Sequence, residues 1–452
     1  MRRAPDARRA AVAMLCASLF AVACAPGTVL DPSSVTELTR AGTEWLIVVY
    51  MSADNELESQ AIEDLNEMEA AGLRGSGVTV IALLDRAEGH DASNGDWTGT
   101  RLYEVADDPD GVDASISSIP LAVPSLGIDP AGGDVELDMA DPRTLALLLA
   151  FARETYDPRH TALVVWGHGS GYRSAGSPQR PVASHEVGRV TSHDDASGGD
   201  ALYTAELAQA ISGAGLDLLG FDTCFGASVE VAYEVHADAA LMVASQSLEP
   251  ADGWEYDDVL ARFASGSRTI DSLAEAVTSS YVSTYSDVAG ASISTIRLDR
   301  VPAVVDALDA FALAVHAHVA DSATRDAVRA TLFYEAEDFY TTPGDLSIDI
   351  ADAGRVVADR HGHATVEAGA LADAVDAAVL SSWSGSAHPR ANGISVHLVP
   401  LEADGTASLS HDESYLRGGA ADHPLAFVAV SAWVPAPLER TGLLYRLFYE
   451  VL

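Results

Sequence analysis

The 452-residue sequence predicts an α/β fold, a mostly parallel sheet flanked by helices. Two observations predict it. Apolar runs of strand length at residues 45–51, 78–84, 162–166, 216–221 and 240–244 are largely continuous rather than alternating, as in strands buried on both faces. Segments of helical pattern lie between them, and strands that alternate with helices at this spacing form a parallel sheet. A third observation places the chemistry: His168 and Cys224 each fall just beyond the end of such a run, where ligands bind in open parallel sheets.

The elements follow in order. The run W-L-I-V-V-Y-M at 45–51 opens the sheet, and a helix is expected over 56–71. The strand at 78–84 leads into a Gly/Asp-rich connection and a short strand at 101–105. A helix over 142–156 is marked by Asp141 before it and Pro142 at its first position. The strand at 162–166 runs straight into G-H-G-S-G-Y, and the strand at 216–221 delivers Cys224. A helix over 227–236 precedes the strand at 240–244. Residues 44–300 therefore read as one domain. Residues 301–452 read as an α-rich C-terminal accessory portion packed on it, with Ala-rich helical patterns at 304–319 and 371–380 and strands at 393–398 and 426–434. A hydrophobic content of 48% supplies ample core for this length.

The first residues carry four arginines ahead of an apolar stretch at 10–23, the layout of an export signal. That stretch falls short of the roughly 20 residues that span a bilayer. It ends in Ala21-Val22-Ala23-Cys24, which resembles a bacterial lipoprotein signal, with cleavage before Cys24 and lipidation of its thiol. The alternative is an ordinary signal peptide cut between residues 21 and 25. Residues 1–23 are thus expected to be a removed signal and 24–43 a flexible tether, so the protein belongs in the bacterial cell envelope, lipid-anchored, or is secreted. The formal charge is −41, and every basic residue is Arg. So acidic a surface excludes nucleic acid as a partner and favours cationic substrates and divalent ions. There is no P-loop, dinucleotide fingerprint or His/Cys metal pattern.

With the export segment set aside, Cys224 is the one remaining cysteine. A thiolate that attacks a carbonyl needs an imidazole to move protons between thiol, intermediate and leaving amine, and His168 is the candidate. With no side chain, Gly169 lets its N–H approach a substrate, and together with the Cys224 N–H it offers a two-donor oxyanion hole. The plainer alternatives are a buried, inert cysteine and a turn histidine among glycines.

Five ordered segments resemble the clostripain-like cysteine peptidases, which share the caspase-type α/β fold with gingipains and legumains. They are W-L-I-V-V-Y-M-S-A-D-N-E-L-E (45–58), V-V-W-G-H-G-S-G-Y (164–172), F-D-T-C-F-G-A-S-V-E-V-A-Y-E (221–234), A-S-Q-S-L-E-P-A-D-G-W (244–254) and A-N-G-I-S-V (391–396). The resemblance implies an endopeptidase acting on proteins or peptides with exposed Arg, with Cys224 as nucleophile and His168 as its partner. It places Asp222 and Asp252 at the base of the primary pocket, where a carboxylate meets a guanidinium bidentately. Relatives are often activated by cutting themselves between the two catalytic segments, which makes Arg173, Arg180 and above all Arg189 candidate sites. No cofactor is required. Some relatives depend on calcium, for which Asp194, Asp195 and Asp200 are the candidate ligands, without EF-hand spacing. Two rival readings on the same fold are a catalytically silent peptide-binding lipoprotein and a transpeptidase that passes the acyl group to an amine.

Overall fold

The computed structural model describes residues 43–113, 115–169, 193–194, 200–339 and 346–398. Strands β1 (Trp45–Ala53), β2 (Val78–Arg86), β5 (His160–Trp166), β8 (Leu218–Asp222) and β9 (Leu241–Ala244) form the parallel centre of a nine-stranded sheet. Antiparallel strands complete both edges. β3 (Gly99–Glu104) and β4 (Ile119–Leu121) follow β2 on one side, and β10 (Ser292–Arg297) and β12 (Val379–Ser384) follow β9 on the other. The spatial order is β12-β10-β9-β8-β5-β1-β2-β3-β4. From β1 the chain builds outward to β4, then returns to β5 on the opposite side of β1. β1 and β5 run parallel, but the direction in which strands are added to the sheet reverses between them, and such a switch point opens a crevice at their carboxyl ends.

β1 shows why its run is continuously apolar. Leu46, Val48 and Tyr50 enter the core on one face, while Trp45, Ile47, Val49 and Met51 enter the core on the other. Successive side chains point to opposite faces, so a strand covered on both must be apolar at every position. Helices α1 (Glu58–Ala70), α5 (Tyr256–Ser265) and α6 (Ile270–Tyr285) cover the Trp45 face. The Leu46 face packs against α2 (Pro142–Tyr156), α3 (Thr204–Ile211), α4 (Val229–Val235) and α7 (Val301–His318), joined by α8 (Ser322–Glu335), α9 (Ile350–His361) and α10 (Thr365–Ala378). α2 has the bounds its sequence signals predict. Asp141 accepts the Arg143 N–H at 2.9 Å, and Pro142 occupies the first turn, where its missing N–H costs nothing.

The helix-rich portion after residue 300 shares this sheet and core, because β12 pairs with β10 and Ile394 and Val396 join the Leu46-face cluster. Two short pairings lie outside the main sheet: β6 (His193–Asp194) with β7 (Asp200–Ala201), and β11 (Leu346–Asp349) with β13 (Ser395–Leu398). The predicted signal and anchor at Cys24, most of the tether, and the strand at 426–434 lie outside the described residues. Among the described residues, no helix is long and apolar enough to cross a membrane.

Candidate active site

β5 and β8 run side by side with Trp166 opposite Asp222. His168 and Cys224 each lie two residues beyond that pair, so two distant chain segments emerge together at one rim of the sheet. Gly167 turns the chain at φ +132° and donates its N–H to the Asp222 carbonyl at 3.3 Å. Gly169 shows how closely the two loops approach. A Cβ there would lie 2.5 Å from Thr223 Cβ and 2.6 Å from the Cys224 carbonyl oxygen. The absent side chain at 169 thus lets the histidine loop touch the cysteine loop, which the sequence reading assigned instead to approach by substrate.

Cys224 is half-buried and not disulfide-bonded. The loop that carries it is pinned to the segment after β9: Phe225 N–H donates to the Ser247 carbonyl at 3.0 Å and Ala227 N–H to the Ser245 carbonyl at 2.8 Å. Phe225 itself is left-handed at φ +60°, a strained choice for a residue with a Cβ. Strain at the residue following a candidate nucleophile fits a tight exit from β8 that leaves the thiol at the rim. The Glu249 N–H donates to Cys224 Sγ at 3.3 Å. Burial pushes the thiol up to about 12, the Glu249 N–H opposes this, and the carboxylates of Glu249 and Asp222 add to it. At neutral pH the resting sulfur is therefore a thiol, and it needs a base when it attacks.

His168 meets a carboxylate the sequence did not single out, in a charge contact without hydrogen-bond geometry. His168 Nε2 lies 3.2 Å from Glu56 Oε1, with the ring about one-fifth exposed. A carboxylate near Nε2 favours a proton on that nitrogen. Glu56 follows β1, the strand beside β5, in a braced turn. Asn55 donates its side-chain amide to the Ser52 carbonyl at 3.0 Å and accepts the Leu57 N–H at 3.0 Å. One residue further, Glu58 opens α1 while fully buried against Arg86 and takes the Asp91 N–H at 2.7 Å. Glu56→Ala is expected to lower kcat by about two- to fivefold with KM unchanged, since the carboxylate is mostly exposed and such pairs are worth at most about 1 kcal/mol. Glu56→Gln, which keeps an acceptor for the ring, should recover most of the loss. A rise in KM with kcat intact would show that Glu56 acts on substrate rather than on the ring.

Asp222 ends β8 almost fully buried, and its Oδ2 takes both its hydrogen bonds, from Tyr256 OH at 2.8 Å and Trp254 N–H at 3.3 Å. Burial raises its carboxyl to about 7. Gly253, at φ +62°, keeps the neighbouring loop close, since a Cβ there would stand 3.0 Å from Asp222 Oδ1. Asp252 is exposed on that same loop. Two further acids sit around Asp222. Asp64 from α1 accepts the Trp166 indole N–H at 2.5 Å, and Glu249 accepts the Trp254 indole N–H at 3.0 Å. Burial, then the charge of Asp222, holds both well above the usual carboxylate range.

The structure thus brings His168, Gly169, Cys224 and Asp222 to one rim, with the loop bearing Asp252 against them. Arg173, Arg180, Arg189 and Asp195 lie outside the described residues. Asp194 and Asp200 are described only as backbone partners across the β6–β7 pairing. Among the described residues, two other carboxylate groups have oxygens within 4.8 Å of one another: Asp54 with Asp85 and Glu136, and Glu67 with Glu255 and Asp257. Their donors are of the hard type calcium takes, but three carboxylates fall short of its six to eight oxygens, and Asp85 already accepts the Thr100 hydroxyl at 2.7 Å.

Comparison with known proteins agrees with this fold. The chain is similar to clostripain of Hathewaya histolytica, 26% identical over 239 residues, which spans 49% of this chain and 43% of that relative. Its fold is similar to a secreted cysteine protease from Bacteroides thetaiotaomicron in complex with an irreversible peptide inhibitor, at a TM-score of 0.59 and 16% identity over 86% of this chain and 99% of that one. It is also similar to an inactive zymogen protease from Parabacteroides distasonis, at a TM-score of 0.58 and 16% identity over 80% and 93% of the two chains. The sequence model of the Clostripain family matches residues 49–352, and the chain belongs to that family.

Proposed function

We propose that this chain is an exported cysteine endopeptidase that hydrolyses the peptide bond after Arg, with Cys224 as nucleophile and His168 as its proton-transferring partner. The observation that carries the reading is the β5–β8 register, with Gly169 packed against Cys224, which supports one shared site for ring and sulfur. Membership of the Clostripain family supports the reaction class.

Each residue then has a task. As Sγ attacks the carbonyl carbon, His168 takes the thiol proton, which a thiol raised to about 12 does not release unaided. The developing oxyanion is met by the N–H groups of Gly169 and Cys224. When the C–N bond breaks, His168 passes its proton to the leaving amine, leaving a thioester on Cys224. Water then attacks the thioester and gives a proton to His168. The carboxylate product departs and the thiol is restored. Glu56 keeps the ring oriented throughout. Preference for Arg is supported by Asp222, two residues before the nucleophile, which pairs with no Arg among the described residues; Asp252 adds negative charge nearby.

Maturation by self-cleavage at Arg173, Arg180 or Arg189 and lipid anchoring at Cys24 belong to the same proposal. Calcium is carried as an optional structural ion, outside every chemical step. The test uses the full chain, and protein from Cys24 onward, on fluorogenic peptides ending in Arg, Lys or Asp, with calcium or with chelator. Cleavage after Arg is expected. Cleavage after Asp, or none after any residue, would overturn the reading.

A further inference from the structure

We infer that the cation pocket beside Cys224 is built from two carboxylates, Asp222 and Glu249, together with the Tyr281 hydroxyl, so that Glu249 is a second specificity-determining residue for a guanidinium side chain. The inference rests on the Arg-directed reading above and names a residue that reading does not use.

Glu249 is adjacent to the sulfur through its main chain, with its N–H 3.3 Å and its carbonyl oxygen 4.0 Å from Cys224 Sγ. Its side chain turns inward. Oε1 accepts the Trp254 indole N–H and the Thr223 N–H also acts on the carboxyl, while Oε2 itself has no solvent contact and no hydrogen bond of normal geometry. A second orphan lies within the field of the same acids. Tyr281 on α6 is 1% exposed, and its hydroxyl is also buried without a partner. The negative charges of Glu249 and Asp222, and Cys224 itself, all act on that hydroxyl. Buried polar atoms are nearly always paired, and leaving one unpaired costs about 1–3 kcal/mol, so a carboxylate oxygen and a hydroxyl left unpaired within the field of the same acids stand to gain from an arriving donor.

The chemistry of the orphans selects the occupant. A carboxylate oxygen only accepts, and a phenol oxygen accepts through its lone pairs. Both lack donors. A guanidinium brings five N–H donors, no acceptor, and the positive charge that this acidic site lacks. Among the described residues no Arg forms an ion pair with Asp222, Glu249 or Asp64. The titratable groups that interact with the pair are all acidic or neutral: Asp64 from α1, Tyr256 from α5, Tyr281 and Tyr285 from α6, and Cys224. With burial raising the carboxyls, the empty pocket keeps protons that an arriving cation expels. Binding of a cationic side chain should therefore strengthen as pH rises through about 7, and binding of a neutral one should not. The same cation would relieve the carboxylate field that raises the Cys224 thiol.

The test is steady-state kinetics of the full chain on peptides ending in Arg, Lys or the uncharged isostere citrulline, between about pH 5.5 and 8.5. Glu249→Gln keeps an acceptor for the Trp254 indole and nearly the same volume. It is expected to raise KM for the Arg peptide by about tenfold or more with kcat within about threefold, to narrow the preference for Arg over Lys, and to flatten the pH dependence of 1/KM. Tyr281→Phe, which removes one oxygen and no charge, is expected to raise KM for the Arg peptide by about threefold with the pH dependence retained, and it carries the test should Glu249→Gln fail to fold. Parental KM and pH profile in Glu249→Gln, or an equal fall in kcat on all three peptides, would overturn the inference and leave Arg specificity with Asp222. A parent chain that cleaves other peptides through Cys224 but ignores Arg would overturn the Arg-directed reading itself, and the pocket with it.

Discussion

Cys224→Ala is expected to fold as the parent chain does and to cleave no peptide. The substitution removes one sulfur that accepts the Glu249 N–H, and leaving that donor unmet costs about 1–3 kcal/mol at most. Both large cores are untouched, since Cys224 belongs to neither. Activity has no comparable reserve, because no other cysteine occurs between residues 25 and 452 to form the thioester. His168→Ala should keep the nucleophile but lose the proton carrier, lowering kcat by about 10²- to 10⁴-fold with KM little changed. Thermal unfolding and turnover of an Arg peptide, measured on both variants, check the pair. Cleavage retained by Cys224→Ala would move the nucleophile elsewhere.

Gly169→Ala adds a single methyl group and is expected to cost about 100-fold in kcat, the penalty of misplacing reacting groups by an ångström. The new Cβ would stand 2.5 Å from Thr223 Cβ and 2.6 Å from the Cys224 carbonyl, atoms of a loop tied to Ser245 and Ser247. Relief requires the histidine and cysteine loops to part, with a stability loss of about 1–3 kcal/mol from overpacking. Gly369→Ala is the control. It lies in α10 with nothing within 4 Å of its would-be Cβ, so it should leave turnover unchanged and stabilise the helix by about 0.5–1 kcal/mol. Equal effects from the two substitutions would mean that the contact at 169 has no bearing on the reaction.

Particular elements show what the sequence reveals. β1, β2 and β5 are legible because burial on both faces makes most of their length apolar, with polar residues mainly towards the strand ends, and α2 because Asp141 and Pro142 state its start. β10 is not. It is buried except for its last residue, but its polar positions Ser292, Ser294 and Thr295 break the apolar run. Those hydroxyls have work to do: Ser292 Oγ accepts the N–H groups of Gln246 and Ser247 at 3.0 and 3.1 Å, bracing the segment that leads to Glu249. β12 is hidden differently, since the Ala-rich helical pattern runs on to Leu380 while the helix ends at Ala378 and the chain turns into a sheet edge.

The site divides along the same line. His168 and Cys224 can be read because each follows a recognisable strand, and their meeting then follows from the order of strands in the sheet. Glu56 cannot, because an exposed glutamate in a turn looks like any solvated acid until β1 is known to lie beside β5. Glu249 and Asp64 are concealed by their charge. Nothing in an acidic chain of net −41 marks two carboxylates as buried, and only the tryptophan indoles that meet them give them away.

The most direct measurement is intact-mass and peptide mapping of the full chain after incubation with an Arg-ended peptidyl ketone that alkylates an activated thiol. The expected result is one adduct per chain, on Cys224, formed much more slowly in His168→Ala and not formed by the citrulline-ended analogue at the same concentration. No adduct on Cys224, or equal labelling by the charged and uncharged reagents in the parent and in His168→Ala, would contradict a shared sulfur, imidazole and acidic pocket at the end of β5 and β8.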